Sequence, residues 1–347
     1  MLSAHPATAA GTALPASAEA PAIAHPRVNP RGRGMPLRVG TRGSPLALWQ
    51  TRHFLRLVTH FCPVLRIAEA FEEHVITTSG DRIQDRRLAD IGGKGLFAKE
   101  IHEALLDGRI DFAVHSLKDL ETEMPPGIAL ACTLKREDAR DVLIPGPNCS
   151  GLDPADPLGT LPAGVLMGTA SLRRQSQILH ARPDLRVTMI RGNVQGRLGK
   201  LAAGEVDATM LALAGLRRLE MQPEGMVVLD PEAMVPAAGQ GIVAVTVRER
   251  DRELCELLSA IEDPEARAVS HAERALLAAL DGSCRTPIGG YAKLLPDGQL
   301  RLTGLVARPD GSFLLKRALH GAASDAKALG DELGRELRAD SPSDIFG

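Results

Sequence analysis

Aromatic residues are scarce in this chain: 3% of 347 residues, with one Trp and one Tyr. That is too few to build a stacking platform along single-stranded nucleic acid. Charge of one sign is missing as well. Lys+Arg 41 against Asp+Glu 43 gives a formal net charge of -2. This balance argues against a surface built throughout for nucleic acid or an anionic membrane, so any basic site must be local. No apolar run approaches the length of a membrane helix. The five cysteines (Cys62, Cys132, Cys149, Cys255 and Cys284) are odd in number, irregular in spacing and without a CxxC pair. Neither a disulfide framework nor a zinc ribbon is indicated, and free thiols point to the reducing cytoplasm. Ten histidines fall without HExxH or a comparable spacing, so no metal site is expected. The P-loop signature is absent and no GxGxxG follows a strand, which disfavours nucleotides.

What is present is the pattern of a soluble α/β protein. Its length suits two or three domains. Residues 1–34 are rich in Ala and Pro, without a secretory apolar core, and read as a disordered leader or a mis-assigned start. From Leu37 short apolar strands alternate with amphipathic helices, the mark of βαβ units. Strands are expected near Leu37–Val39, His74–Thr77, Phe112–Val114, Ala129–Cys132, Val165–Met167, Val187–Ile190, Ala208–Leu211 and Ile242–Val247. Helices are expected at Pro45–Thr59, Leu96–Asp107, Leu172–Ala181, Val194–Ala203 and Leu213–Leu219. Pro145 to Pro162 reads as a surface loop. A further helix to Leu280, three strands joined by Pro-Asp-Gly turns and a closing helix form a small α+β unit.

The chain is organised around Ile110 to Leu120, IDFAVHSLKDL. The apolar run Phe112–Val114 suits a buried strand, and the polar cluster His115, Ser116, Lys118 and Asp119 follows at its carboxyl end. Ligands bind there in open α/β sheets. Elsewhere cations stand at helix starts: Arg42 before Ser44-Pro45, Lys94 among glycines, Arg173 and Arg174 after Ser171, and Arg191 and Arg197 around Asn193. A cation at a helix N-terminus opposes the macrodipole, by about 0.3–1 kcal/mol when exposed. Taken singly, each is an ordinary solvated arginine. Several together point to an anion held at those N-termini. The excess of arginine favours carboxylate or phosphate, and Asp119, the odd acid among cations, suits proton transfer and stabilisation of a positive centre. Cys284 lies in a Gly- and Pro-bearing loop beside Arg285, which favours thiolate. Cys132 and Cys255 read as core, and Cys149 as an exposed loop thiol.

The words TRGSPLALWQ, GGKGLFAKE, AVHSLKD, GTASLRRQ, RGNVQGRL, LALAGLRRL, PAAGQG and GSCRTPIGG, in this order, resemble the hydroxymethylbilane synthase (porphobilinogen deaminase) family from Leu37 onward. The resemblance implies two periplasmic-binding-protein-like (type II) α/β lobes plus a small C-terminal α+β domain. The boundaries expected are residues 35–135 with 237–260 for the first lobe, 136–236 for the second and 261–347 for the third domain. It implies a dipyrromethane cofactor attached through a thioether to Cys284, and a monomer that joins four porphobilinogens into hydroxymethylbilane. Asp119 matches the catalytic carboxylate. Cofactor binding falls to Lys118, Asp119, Ser171, Arg173, Arg174, Arg191, Gly192 and Asn193. Substrate binding falls to Arg42, Ser44, Phe97, Arg191, Arg197 and Arg218, with Lys94 in a loop over the cleft. Three positions depart from the family pattern: Leu120-Glu121 where many members place a Pro, Asp90 ahead of the glycine loop, and Thr246 in place of a Glu.

Two other classes are weighed against this one. A two-lobed polycarboxylate receptor without catalysis would need export, for which no signal is present, and would leave Cys284 unused. A nucleic-acid binder conflicts with the charge balance and the scarcity of aromatics.

Overall fold

The structure, a computed structural model, describes residues 34–83, 85–86, 95–149, 151–280 and 286–346. Residues 1–33 of the expected leader lie outside them. β1 (Leu37–Thr41) buries Leu37 and Val39, and α1 (Pro45–Phe61) follows at once. Ser44 starts that helix, its side chain accepting from the Ala47 N–H at 3.3 Å. Pro45 fills the first helical position, where a missing N–H leaves no bond unmade. Phe54 and Val58, four residues apart, turn the apolar face of α1 onto the sheet. Helices α2 (Val64–Ile67), α3 (Ser79–Arg82) and α4 (Lys99–Leu106) and strands β2 (Phe71–Val75), β3 (Phe112–Ser116) and β4 (Ile128–Thr133) complete this part of the chain.

The chain then enters a second sheet. Its strands are β5 (Asp141–Pro145), β6 (Leu166–Gly168), β7 (Arg186–Thr188), β8 (Ala208–Ala212) and β9 (Val227–Val228). Helices α5 (Leu172–Ala181), α6 (Val194–Ala202) and α7 (Leu213–Arg218) pack around them. β10 (Val243–Arg248) returns to the first sheet, and α8 (Arg252–Ser259) covers it. The orders are β2-β1-β3-β10-β4 and β7-β6-β8-β5-β9. In each, three parallel strands are followed by one antiparallel strand contributed by the crossing chain: β10 runs against β3 and β4, and β5 against β8 and β9. This repeated plan is the two-lobed α/β architecture expected. β3 is buried along four of its five residues, as a strand covered on both faces must be.

The third part carries α9 (Pro264–Ala279), the antiparallel meander β11 (Ile288–Leu294), β12 (Gln299–Ala307) and β13 (Leu314–Ala322), and α10 (Ala326–Asp340). Helices α9 and α10 touch closely because Gly330 and Gly334 bring no side chain. A Cβ at Gly330 would lie 2.2 Å from the Ala272 carbonyl oxygen, and one at Gly334 2.5 Å from the Ala279 Cβ. One apolar cluster joins Ala272, Leu276, Leu302 and Leu333 of this part to Leu117, Leu120 and Ala244 of the first lobe.

Two strands escaped the sequence reading. β5 carries the apolar run Val142–Ile144 but opens on Asp141 and closes on Pro145, residue types that mark a loop, and β9 is only two residues long. The expected surface loop is also part of the core: Cys149 and Leu161 are buried beside Leu143 and Met167. Burial there raises the Cys149 thiol pKa, so it is not the exposed thiol expected. Among the described residues no helix is long and apolar enough to cross a membrane.

Candidate active site between the lobes

At the carboxyl end of β3 the chain makes a short 3-10 turn, Leu117–Asp119. Leu117 is buried, while Lys118 is exposed to the cleft and the Asp119 side chain is 28% exposed. Arg42, at the end of β1, places Nη1 3.6 Å from Asp119 Oδ2. Its other edge grips Asp81, with Nε at 3.2 and 3.1 Å from the two carboxylate oxygens. Burial raises the Asp81 pKa, but the Arg42 hydrogen bonds and charge outweigh it and hold the carboxyl below its usual range. Thr78 adds a further donor at 2.7 Å. The Phe97 ring covers the Arg42 guanidinium at 4.1 Å. Arg42, Phe97 and Asp119 are thus brought together. Ser44 is occupied as the cap of α1.

The second lobe presents its arginines differently. Arg173 Nη1 donates to Asp141 Oδ2 at 2.8 Å and to the Val235 carbonyl at 2.7 Å. Arg174 donates to Asp141 Oδ1 at 2.8 Å and to the Met210 carbonyl at 2.8 Å. Burial opposes ionisation of Asp141, yet the two guanidinium charges hold its pKa far below the ordinary carboxylate value. The sequence reading left these cations for an external anion; the structure gives them an internal one. Each still keeps a buried, unpartnered Nε. Gln240 connects the lobes: its Nε2 donates to Asp141 Oδ1 at 2.9 Å, and its Oε1 accepts from Lys118 Nζ at 3.3 Å.

Ser171 caps α5, accepting from Arg174 N at 3.4 Å, and Asn193 caps α6, accepting from Gly196 N at 2.8 Å. Gly192 sits between at φ +121°, a conformation suited to glycine, with open space where a Cβ would stand. Arg191 reaches across to the first lobe, donating to the carbonyls of Arg86 at 2.9 Å and Gly80 at 3.1 Å. Arg197 Nε donates to the Gly192 carbonyl at 2.9 Å, and Arg218 Nη2 to the Gly241 carbonyl at 2.6 Å. Burial lowers both guanidinium pKa values to about 10. Lys94 and Cys284 lie outside the described residues.

Two family models match the chain: "Porphobilinogen deaminase, dipyromethane cofactor binding domain" over residues 37–256, and "Porphobilinogen deaminase, C-terminal domain" over residues 268–339. The chain belongs to the porphobilinogen deaminase family. Among its relatives, the porphobilinogen deaminase of Nitrobacter winogradskyi is 47% identical over 89% of this chain and 94% of its own length. That of Paracoccus denitrificans is 46% identical over 90% and 96%. The chloroplastic enzyme of Oryza sativa is 46% identical over 89% and 85%. Among solved structures, the periplasmic VFT2 domain of Bordetella pertussis BvgS is similar at a TM-score of 0.39 and 16% identity, over 65% of this chain and 86% of that one.

The residues at the second lobe of this family member fit a carboxylate-bearing cofactor. The orphaned Nε atoms of Arg173 and Arg174 are donors without acceptors, a costly state for buried groups that an incoming carboxylate relieves. At Gly192 nothing stands within 4 Å of where a Cβ would lie. Three residues of this network were missed from sequence. Asp81 and Asp141 drew no reading from sequence, and Gln240 hid inside the matching word PAAGQG. The one local signal was an acid, Asp141, opening the apolar run Val142–Ile144.

Proposed function

We propose that this enzyme joins four porphobilinogen molecules head to tail, expelling ammonia from each, and releases the linear tetrapyrrole hydroxymethylbilane by hydrolysis. The observation that carries this reading is the Asp119 carboxylate. It stands part-open in a cleft whose other charged groups are mostly cations, 3.6 Å from a guanidinium that a second aspartate holds in place. Dipyrromethane, bound through a thioether to Cys284, supplies the pyrrole carbon to which the first unit is joined. Lys118, Ser171, Arg173, Arg174, Arg191, Gly192 and Asn193 take its acetate and propionate groups. Arg42, Ser44, Phe97, Arg191, Arg197 and Arg218 take those of the arriving substrate, with Lys94 in the loop beside it.

Asp119 does the chemistry. Departure of ammonia leaves positive charge on the substrate pyrrole, and a fixed carboxylate beside it lowers the energy of that cation. The same oxygen accepts the proton released when aromaticity returns. Arg42, anchored by Asp81, fixes the direction in which Asp119 points. We assign residues 35–135 with 237–260 to a first domain, 136–236 to a second and 261–347 to a third. In this reading the enzyme acts as a monomer. It works in the cytoplasm, a setting supported by free Cys62, Cys132, Cys149 and Cys255.

The test is the intact mass of purified, denatured protein. It is expected to exceed the bare chain by a two-pyrrole unit, and C284A is expected to lack that increment. Turnover by a preparation with the bare-chain mass would overturn the covalent assignment. Bare mass without turnover would leave the non-catalytic polycarboxylate receptor.

A further inference from the structure

The turn that carries Asp119 is held from behind by the third part of the chain. Leu117 and Leu120, on either side of Lys118-Asp119, are buried in one cluster with Ala272 and Leu276 of α9. Arg274, on the same helix, donates through Nη2 to the carbonyl oxygens of Glu121 at 2.8 Å and Thr122 at 2.7 Å. These are the second and third peptide groups after Leu120 N, which itself closes the turn onto the Leu117 carbonyl at 3.1 Å. The Glu121 carboxylate points the other way, to within 3.7 Å of His102 Nδ1 on α4. It also covers Gly95, where an added Cβ would meet Oε1.

A half-buried guanidinium aimed at two successive main-chain carbonyls is an expensive way to fill space. An apolar side chain in the same place would avoid desolvating a charge. What the arginine adds is direction, because two acceptors on one nitrogen fix where the backbone runs. Resting on the function proposed above, we propose that Arg274 is a positioning residue of this enzyme: it locks the segment after Asp119 to α9, so that the carboxylate holds one orientation while successive substrates enter. Cys284 follows α9 by five residues in sequence, so the helix that orients the acid also leads to the cofactor-bearing cysteine.

The experiment compares R274Q and R274K with the wild-type holoenzyme in four measurements. These are intact mass, thermal unfolding, amide hydrogen exchange at residues 118–123, and kcat and KM for porphobilinogen. R274Q is expected to keep the cofactor mass, exchange those amides at least tenfold faster, and lose at least tenfold in kcat with KM within threefold. R274K, which keeps one cationic donor, is expected to recover part of both losses. If R274Q does not fold, R274K is read alone: faster exchange with reduced kcat supports the role. Wild-type exchange and kcat in a loaded variant overturn it, as does a lower unfolding temperature with unchanged kcat. Failure of the underlying function looks different, because the wild type itself would then carry no added mass.

Discussion

The two lobes share one strand plan and use an aspartate in opposite ways. In the first, Asp119 stands on a turn beyond the sheet, partly open, with Arg42 3.6 Å away. In the second, Asp141 opens β5, is fully buried, and accepts from Arg173, Arg174 and Gln240 at 2.8–2.9 Å. A carboxylate ringed by charged donors in a dry site is fixed as an anion and cannot trade protons. One at the mouth of the cleft, whose ion-pair partner Arg42 stands back at 3.6 Å, keeps lone pairs for a substrate. The difference lies in the ends of the strands and not in the sheets. Asp119 is delivered past the carboxyl end of a central parallel strand, and Asp141 at the start of an antiparallel one.

Substituting each aspartate separates chemistry from stability. D119N is expected to reduce kcat by about 10²–10⁴-fold, the range for a general acid–base group, with little change in unfolding temperature. Steady-state kinetics beside thermal melts check it, and near-normal turnover removes Asp119 from its role. D141N leaves two buried guanidiniums without their anion. The expected cost is about 3–5 kcal/mol of folding stability, read from the urea midpoint. A loss below about 1 kcal/mol would mean that the pair is neutralised by other groups, and the contrast between the lobes would fail.

This contrast also marks how far the sequence could be read. Asp119 was legible because an apolar strand broke abruptly into His-Ser-Leu-Lys-Asp, and chain direction in an α/β sheet tells where such a break sits. Ser44 and Asn193 were legible as caps, since a cap is a local matter. The partners of the arginines were not. Asp141 lies 32 positions from Arg173, and Gln240 lies 122 from Lys118, so only folding brings them together. Helix-start arginines therefore read as waiting for a ligand when three of them, Arg42, Arg173 and Arg174, already held a protein carboxylate. Arg274 escaped for the same reason: it sits in an Ala/Leu helix, and its acceptors are backbone atoms 152 and 153 residues away.

The smallest expected effect tests the electrostatic side of the comparison. Burial within the cleft pushes the Lys118 pKa down to about 8; Asp119 and Asp141 oppose this, while Arg174 and Arg173 add to it. Arg197 and Arg218 of the second lobe stay cationic to about 10. Between pH 7 and 9, then, the first lobe loses a cation that the second keeps. Lys118 is reached by cleft water, so screening limits its contribution to about 1 kcal/mol, or roughly fivefold in KM. Because Lys118 adjoins Asp119, its charge is felt by the arriving ring as well as by the cofactor, and KM for porphobilinogen is expected to rise by that factor as pH passes 8, with kcat changing less. K118R holds its charge through the range and is expected to flatten the rise. A wild-type KM that does not change from pH 7 to 9 would take Lys118 out of carboxylate binding and leave that task to the arginines.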